Sequence, residues 1–351
     1  MTANSTTERE FDIVVFGATG FTGALVAGYL LRQYGIGGEL KWAIAGRSEA
    51  KLADVKNDMG ESAADLPTLL ADSFDRDALS ALAARTHVVL TTVGPYALFG
   101  SDLVEACVEH GTHYCDLAGE VQWIRRMIDQ HHDRARETGA RIVHCCGFDS
   151  VPMDIGAWFL QHEAKLRHGQ YCKSIRLLVK ATKGAASGGT IASMLNILEE
   201  SRKDRDVARI LVMPFALNPP GERQGPDQRD QTGAVYDADA KSWTAPFVMA
   251  AINTKIVGRS HALAGYPYGK DFGYREAVLT GDGVSGRLKS LAMVATLGSF
   301  VTAGSFKPTR KLLEIFVPEP GEGPGEEQRE SGFFNLMQLG VLPDGSILKT
   351  R

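Results

Sequence analysis

Glycines stand at every third position in Gly17-Ala18-Thr19-Gly20-Phe21-Thr22-Gly23, directly behind the apolar run FDIVVF (11–16). Leu25, Val26, Tyr29 and Leu30 follow at helical spacing. A glycine-rich turn between a strand and a helix lets a pyrophosphate touch the backbone, where a Cβ would hold it away. The helix start adds free N–H groups and the positive end of a dipole. Thr19 and Thr22 can supply hydroxyl donors, and Phe21 opens the helix. The implied chemistry is dinucleotide binding. The next strand, KWAIAG (41–46), runs into Gly46-Arg47-Ser48, with Lys51 one turn on. NAD sites usually place Asp or Glu there for the ribose 2′-hydroxyl. Here no acid fills the slot. Arg47 can pair with a 2′-phosphate through two N–H groups, and Ser48 can donate to it. NADP(H) is therefore the expected cofactor.

Further candidates lie where later strands end. Asp72 follows LPTLLA and can border the adenine or cap the following turn. Thr91-Thr92-Val93-Gly94-Pro95-Tyr96 falls at the carboxyl end of the fourth strand, the switch region where such sheets bind ligands. Val93, Gly94 and Pro95 make a stiff turn for the nicotinamide. Tyr96 can stack on that ring or donate a proton, so it is the catalytic candidate. After the sixth strand, Asp149 and Ser150 border the cleft, although capping of the next helix accounts for them as well. Asp116, Gly119 and Glu120 end the fifth strand in the same plane. Ser187-Gly188-Gly189-Thr190 opens a helix and can hold an anionic substrate group or simply start that helix. No metal-ligand spacing, P-loop or Ser/His/Asp order stands out.

Six strand and helix signals alternate from residue 11 to 146, which predicts a doubly wound parallel sheet of Rossmann type. The rhythm changes after Gly147. SIRLLVKA (174–181), FVMAAINTKIV (247–257) and YREAVLT (274–280) read as strands, Thr190 to Arg202 as an amphipathic helix, and 204–245 as long loops. The segment 315–330 reads as an exposed loop, and the final residues as a hairpin around Pro343-Asp344-Gly345. The expected fold class is α/β: an NADP-binding Rossmann domain over 1–150, then an α+β substrate or dimerisation domain with a mixed sheet over 151–351.

Composition limits the alternatives. The 351 residues are 44% hydrophobic and 23% charged with a net charge of -4, so no general pull toward nucleic acid is expected. Five cysteines at irregular spacing fit reduced thiols rather than a disulfide framework or zinc site. Cys145 and Cys146 end a predicted buried strand beside the expected site. The polar N-terminus has no secretory h-region, so a cytoplasmic location is expected. Residues 290–306 (SLAMVATLGSFVTAGSF) carry no charge. They read first as a buried or oligomer-interface helix, consistent with a homodimer, and second as a surface that meets a membrane or lipid.

GATGFTG (17–23), AGRS (45–48), TTVGPY (91–96), DLAGE (116–120) and GFDSVP (147–152) together resemble the saccharopine dehydrogenase-like oxidoreductases, most closely the trans-acting enoyl reductase group. SGGT (187–190), APFVMAAINTKIVGRS (245–260) and ESGFF (330–334) extend the likeness. The resemblance implies a second domain whose sheet helps build the substrate site, and NADPH reducing a carbon–carbon double bond in a fatty-acyl or polyketide chain, carrier-bound or free. Members of the group usually continue for several dozen residues past the ESGFF strand, so a shortened second domain is expected here. Two other readings stand beside this one. The first is reduction of an imine or carbonyl on an amino-acid substrate, for which Arg176, Lys180 and Lys183 offer cations. The second is a lipid-associated protein that binds NADPH without turnover.

Overall fold

The computed structural model describes residues 8–184, 187–223, 225–306, 308–310 and 321–351. Its first sheet has six parallel strands: β1 (Phe11–Phe16), β2 (Trp42–Gly46), β3 (Thr68–Leu70), β4 (Thr86–Thr91), β5 (His113–Cys115) and β6 (Ile142–Val143). Their order is β3-β2-β1-β4-β5-β6, so the chain reverses direction across the sheet between β1 and β4. Phe16 pairs with Ala45 on one side and Thr91 on the other. The glycine-rich turn, the Arg47 turn and the Thr91–Tyr96 turn therefore leave one sheet edge side by side. This is the predicted doubly wound fold.

Helices cover both faces because β1, β2 and β4 are apolar on both sides. The helices α1 (Phe21–Tyr34) and α2 (Glu49–Met59) close one face over Val15, Ile44 and Leu52. The other face carries α3 (Arg76–Ala84), α4 (Tyr96–Phe99), α5 (Ser101–Glu109) and α6 (Val121–Thr138), packed on Val14, Val89, Leu103 and Trp123. Burying each large apolar side chain contributes about 1.5–3 kcal/mol. Ala216, Leu217 and Ile252 join this second cluster, so the two halves share a core.

A long helix, α7 (Val151–His168), leads to the second sheet: β7 (Ser174–Lys183), β8 (Val235–Asp237), β9 (Ser242–Ala245), β10 (Gly273–Gly281), β11 (Phe333–Val341) and β12 (Ile347–Thr350). The order is β12-β11-β7-β10-β9-β8. β7 and β10 run parallel and the other pairs antiparallel, so the sheet is mixed as expected. The last hairpin forms as read, with Gly345 at φ 88° in its turn.

Several expectations are corrected. The stretch 247–257, read as a strand, lies mostly in helix α10 (Ala250–Leu263). Its β-branched residues mislead because the helix is buried around much of its girth, from Ile252 and Asn253 to Lys255 and Val257. The expected loops of 204–245 contain helix α9 (Arg205–Val212), β8 and β9, and α8 (Gly188–Lys203) precedes them. Residues 315–320 of the expected loop lie outside the described residues, while Glu326–Glu330 form a short helix, α12.

Residues 290–305 belong to helix α11 (Gly283–Ser305), which Phe306 ends and which is mostly exposed rather than buried. Gly286, Ser290 and Gly304 are its buried residues, and the Ser290 hydroxyl donates to the Thr244 carbonyl at 2.6 Å. Leu288, Leu291 and Val301 face outward. Among the described residues no helix is long and apolar enough to cross a membrane. Ser290→Leu is expected to lower stability by about 1–3 kcal/mol through overpacking against β9, whereas Leu291→Ser changes it by less than about 0.5 kcal/mol. Urea unfolding of both variants checks this.

Candidate active site at the carboxyl edge of the first sheet

The glycine-rich turn is shaped by contacts that exclude side chains. Gly17 has φ +89°, and a Cβ there would meet Val93 Cγ2 at 2.5 Å. A Cβ on Gly23 would stand 2.2 Å from the Gly17 carbonyl oxygen. The turn therefore lies flat on the start of α1, with Gly20 as N-cap and no side-chain cap. Thr19 is exposed, Phe21 and Thr22 are half-buried, and neither threonine hydroxyl bonds another described residue. A cradle that a Cβ would fill, bordered by free donors, fits a cofactor pyrophosphate.

Arg47 follows β2 at the same edge. It is exposed and pairs with no described residue, so its guanidinium is free for a 2′-phosphate. Ser48 is held differently: its hydroxyl accepts the Lys51 N–H at 3.3 Å and caps α2. Lys51 is exposed at that first turn. Asp72 takes the Phe74 N–H at 3.0 Å, so it acts as a turn cap.

One cation near the turn was not legible in the sequence. Arg329, in α12, places its guanidinium over the Phe21 ring, 5.7 Å from the centroid, and donates to the Pro324 carbonyl at 2.8 Å. Gly323 lies against the same ring. The second half thus brings a positive charge to the pyrophosphate turn.

Tyr96, the sequence candidate for proton donor, lies within the turn. Its ring is buried and stacks on Trp123 at 5.6 Å. Its hydroxyl accepts the Leu117 N–H at 3.2 Å and points at the Thr91 carbonyl, 3.4 Å away. Burial, then the nearby Asp116 carboxylate, raises its pKa well above the ordinary value. Tyr96 therefore supports the turn made by Val93, Gly94 and Pro95. Glu120 performs a similar task, accepting the N–H groups of Tyr96 (2.7 Å) and Ala97 (2.9 Å) and the Ser193 hydroxyl (2.8 Å). Burial raises its pKa against the pull of these donors.

Asp116 ties β5 to the chain beyond β6. Its carboxylate accepts from the Tyr114 hydroxyl (2.9 Å), Ala118 N–H (2.9 Å) and Cys145 N–H (3.1 Å), and lies 2.6 Å from His144 Nδ1. This anchorage delivers Asp149 and Ser150 to the junction of the two halves. Their expected capping role is corrected. Ser150 occupies the N-cap position of α7 without capping it, and its hydroxyl donates to Asn253 Oδ1 at 2.6 Å. Asn253 Nδ2 donates to Glu276 at 3.0 Å and approaches Asp149 at 3.5 Å. Tyr274 donates to the other Glu276 oxygen at 2.8 Å.

Burial in this network pushes Asp149 up to about 6 and Glu276 up to about 8. Asp149 is half-buried and reaches solvent, whereas Glu276 is sealed beneath it. An apolar wall stands beside Asp149: the Phe148 and Phe334 rings meet at 4.7 Å, both partly exposed, and Leu117 lies nearby. Asn253, Glu276 and Phe334 escaped sequence reading because each lies more than 100 residues from the loop it meets.

Ser187-Gly188-Gly189-Thr190 has the geometry of a capped helix start. The Ser187 hydroxyl accepts the Thr190 N–H at 3.4 Å, and the Gly188 N–H donates to the Glu322 carbonyl at 3.0 Å. Arg176, a candidate for an amino-acid carboxylate, is committed to Asp237 at 2.7 Å and to Asp239.

Comparison with known proteins fits this geometry. The model of the saccharopine dehydrogenase NADP binding domain matches residues 13–143. A trans-acting enoyl reductase of Mycobacterium bovis is 37% identical over 342 residues, spanning 95% of this chain and 81% of that one. A Mycobacterium leprae protein of the same name is 35% identical over 94% of this chain and 80% of its own. A Mycobacterium tuberculosis relative that carries the name provisionally is 42% identical over 94% and 80%. A solved saccharopine dehydrogenase (L-Glu forming) from Saccharomyces cerevisiae aligns with 97% of this chain and 84% of its own at 13% identity and a TM-score of 0.44, too loose a likeness to inform the site.

Two measurements test the site. Arg47→Asp should raise the Kd for NADPH at least about tenfold while leaving NADH within about twofold, the loss of one charge-assisted contact. Arg329→Gln should weaken both cofactors alike, because the pyrophosphate is common to them. Isothermal titration separates the two patterns. Glu276 binds a proton in the fold at pH values where the unfolded chain has released it. Stability should therefore fall as pH rises from about 4.5 to about 8, by up to about 1.4 kcal/mol per pH unit. Denaturant midpoints across that window should flatten in Glu276→Gln.

Proposed function

This chain belongs to the trans-acting enoyl reductase family, NADP-dependent oxidoreductases with a saccharopine dehydrogenase-type NADP binding domain, and we propose that it reduces the α,β double bond of a hydrophobic acyl thioester. NADPH, when bound, supplies the hydride for the β-carbon. The chain itself must orient the acyl group, keep water away and deliver a proton to the α-carbon. The apolar wall of Leu117, Phe148 and Phe334 suits an acyl chain. The commitment of Arg176 to two aspartates leaves the amino-acid imine reading with less support.

The observation that carries this reading is Asp149. It stands at the carboxyl edge beyond β6, half-buried, with its pKa raised to about 6 by burial. A carboxyl group in that state is a competent general acid near neutral pH. Asn253 holds it in place, and the Asp149 charge in turn helps keep the sealed Glu276 beneath it protonated.

The outward residues of α11, Leu288, Leu291 and Val301, suit contact with a lipid surface or a second copy of the chain, and either would bring the enzyme to a hydrophobic substrate.

The test is NADPH oxidation with crotonyl-type thioesters, with saccharopine-pathway substrates and with no substrate. Only the thioesters should be reduced. Because the acid form of Asp149 is lost as pH rises through about 6, kcat/KM should fall above that pH. Asp149→Asn should lower kcat/KM by about 10²–10⁴-fold, abolish this fall and leave NADPH affinity unchanged. Full activity in Asp149→Asn would remove the assignment.

A further inference from the structure

Cys115 closes β5, and Cys146 lies just beyond β6, the neighbouring parallel strand. The Cys146 N–H donates to the Asp116 carbonyl at 2.7 Å, so the residues that leave the two strands run side by side. The Cys146 thiol donates to the Val143 carbonyl at 3.5 Å, and Val143 is the residue that pairs with Cys115 across the two strands, so the two thiols lie at one place on this edge. Cys146 is exposed and Cys115 half-buried, so one sulfur of the pair can be reached from solvent. The other cysteines are placed differently. Cys107 and Cys172 are buried away from this edge, and the buried Cys145 directs its thiol to the Ala118 carbonyl at 2.8 Å.

We propose that Cys115 and Cys146 form a reversible disulfide when the protein meets a hydroperoxide, and that this disulfide slows the reductase. The Cys146 thiolate attacks one peroxide oxygen and the O–O bond breaks, leaving a sulfenic acid on Cys146. The Cys115 thiol then attacks the Cys146 sulfur, the S–S bond forms and water leaves. With hydrogen peroxide the two thiols lose two electrons and two protons, and the peroxide becomes two waters. A dithiol reverses the change by exchange. The contact with the Cys115 thiol favours ionisation of Cys146, the exposed member, which is the arrangement expected of an attacking and a resolving thiol.

The consequence for activity follows from chain order. Cys146 precedes Gly147, Phe148 and Asp149. Bonding Cys146 to Cys115 draws this loop toward β5 and away from Asn253, shifting the acid and the apolar wall together. This part rests on the role proposed above for Asp149, whereas disulfide formation does not.

The experiment treats the full chain with hydrogen peroxide, alkylates the remaining thiols and maps linked peptides by mass spectrometry without reduction. Titratable thiols should fall from five to three, with Cys115 linked to Cys146, and dithiothreitol should restore all of them. In Cys115→Ser, Cys146 should instead be trapped by dimedone as a sulfenic acid. The oxidised protein should lose activity at least about fivefold and regain it on reduction. An unchanged thiol count, a bridge through Cys145 or irreversible oxidation would overturn the disulfide. A bridge that forms without loss of activity would overturn the regulatory half and leave the acid assignment of Asp149 to its own test.

Discussion

Asp116 sits with no access to water at the carboxyl edge of the first sheet, and its carboxylate takes hydrogen bonds from three donors and faces His144 Nδ1 at 2.6 Å. A buried carboxylate is tolerated only when its lone pairs are filled, because stripping away one partner leaves a charge in a medium that solvates it poorly. The partners come from β5, from the turn after it and from the chain beyond β6. Filling that one side chain therefore fixes how three backbone segments meet. The loop carrying Phe148, Asp149 and Ser150 starts from the anchored Cys145 and inherits its position. Glu120 does the same for the turn that holds Gly94 and Tyr96.

From this edge the account passes to the junction between the sheets. Asn253, on a helix of the second half, meets Ser150, Asp149 and Glu276 at once. An amide can accept from one neighbour and donate to two others, so it joins groups of different charge state without carrying a charge itself. Glu276 lies deepest, and the low dielectric around it keeps it protonated toward pH 8. Asp149 lies nearer the solvent and titrates lower. Two carboxyl groups in graded burial place an accessible acid above a sealed one. The Phe148 and Phe334 rings, one from each half, close the apolar side of the same junction.

Much of the nucleotide half was legible in the residues. Apolar runs at strand length alternate with helical spacing from β1 to β6, and the glycine spacing of the first turn has few other physical uses. The absence of an acid after β2 pointed to NADP in the same way. The second half resisted for reasons of packing. The helix over Ala250–Leu263 is rich in Val, Ile and Thr and is enclosed by neighbours, so it shows neither helical propensity nor an amphipathic period. The segment 290–306 is apolar in composition, yet only the structure shows that it is mostly exposed, with Ser290 and Gly304 buried and Leu291 and Val301 facing out. Tyr96 was a natural choice for a proton donor by position. Its hydroxyl's partners, the Leu117 amide and the Thr91 carbonyl, are set by tertiary contacts that no local pattern reports. The partners of Asp149 are distant in sequence and could not be paired with it before the fold was known.

The central claim is that this edge carries out an enoyl reduction, with the hydride from NADPH and the proton from the chain's own acid. Isotope placement in the product tests it most directly. The protein is incubated with a crotonyl-type thioester and NADPH deuterated at C4, and separately with unlabelled NADPH in heavy water, and the saturated product is read by mass spectrometry and NMR. The account predicts cofactor-derived deuterium at the β-carbon alone and solvent-derived deuterium at the α-carbon alone. Cofactor that binds yet keeps its label while the thioester stays unsaturated would contradict it.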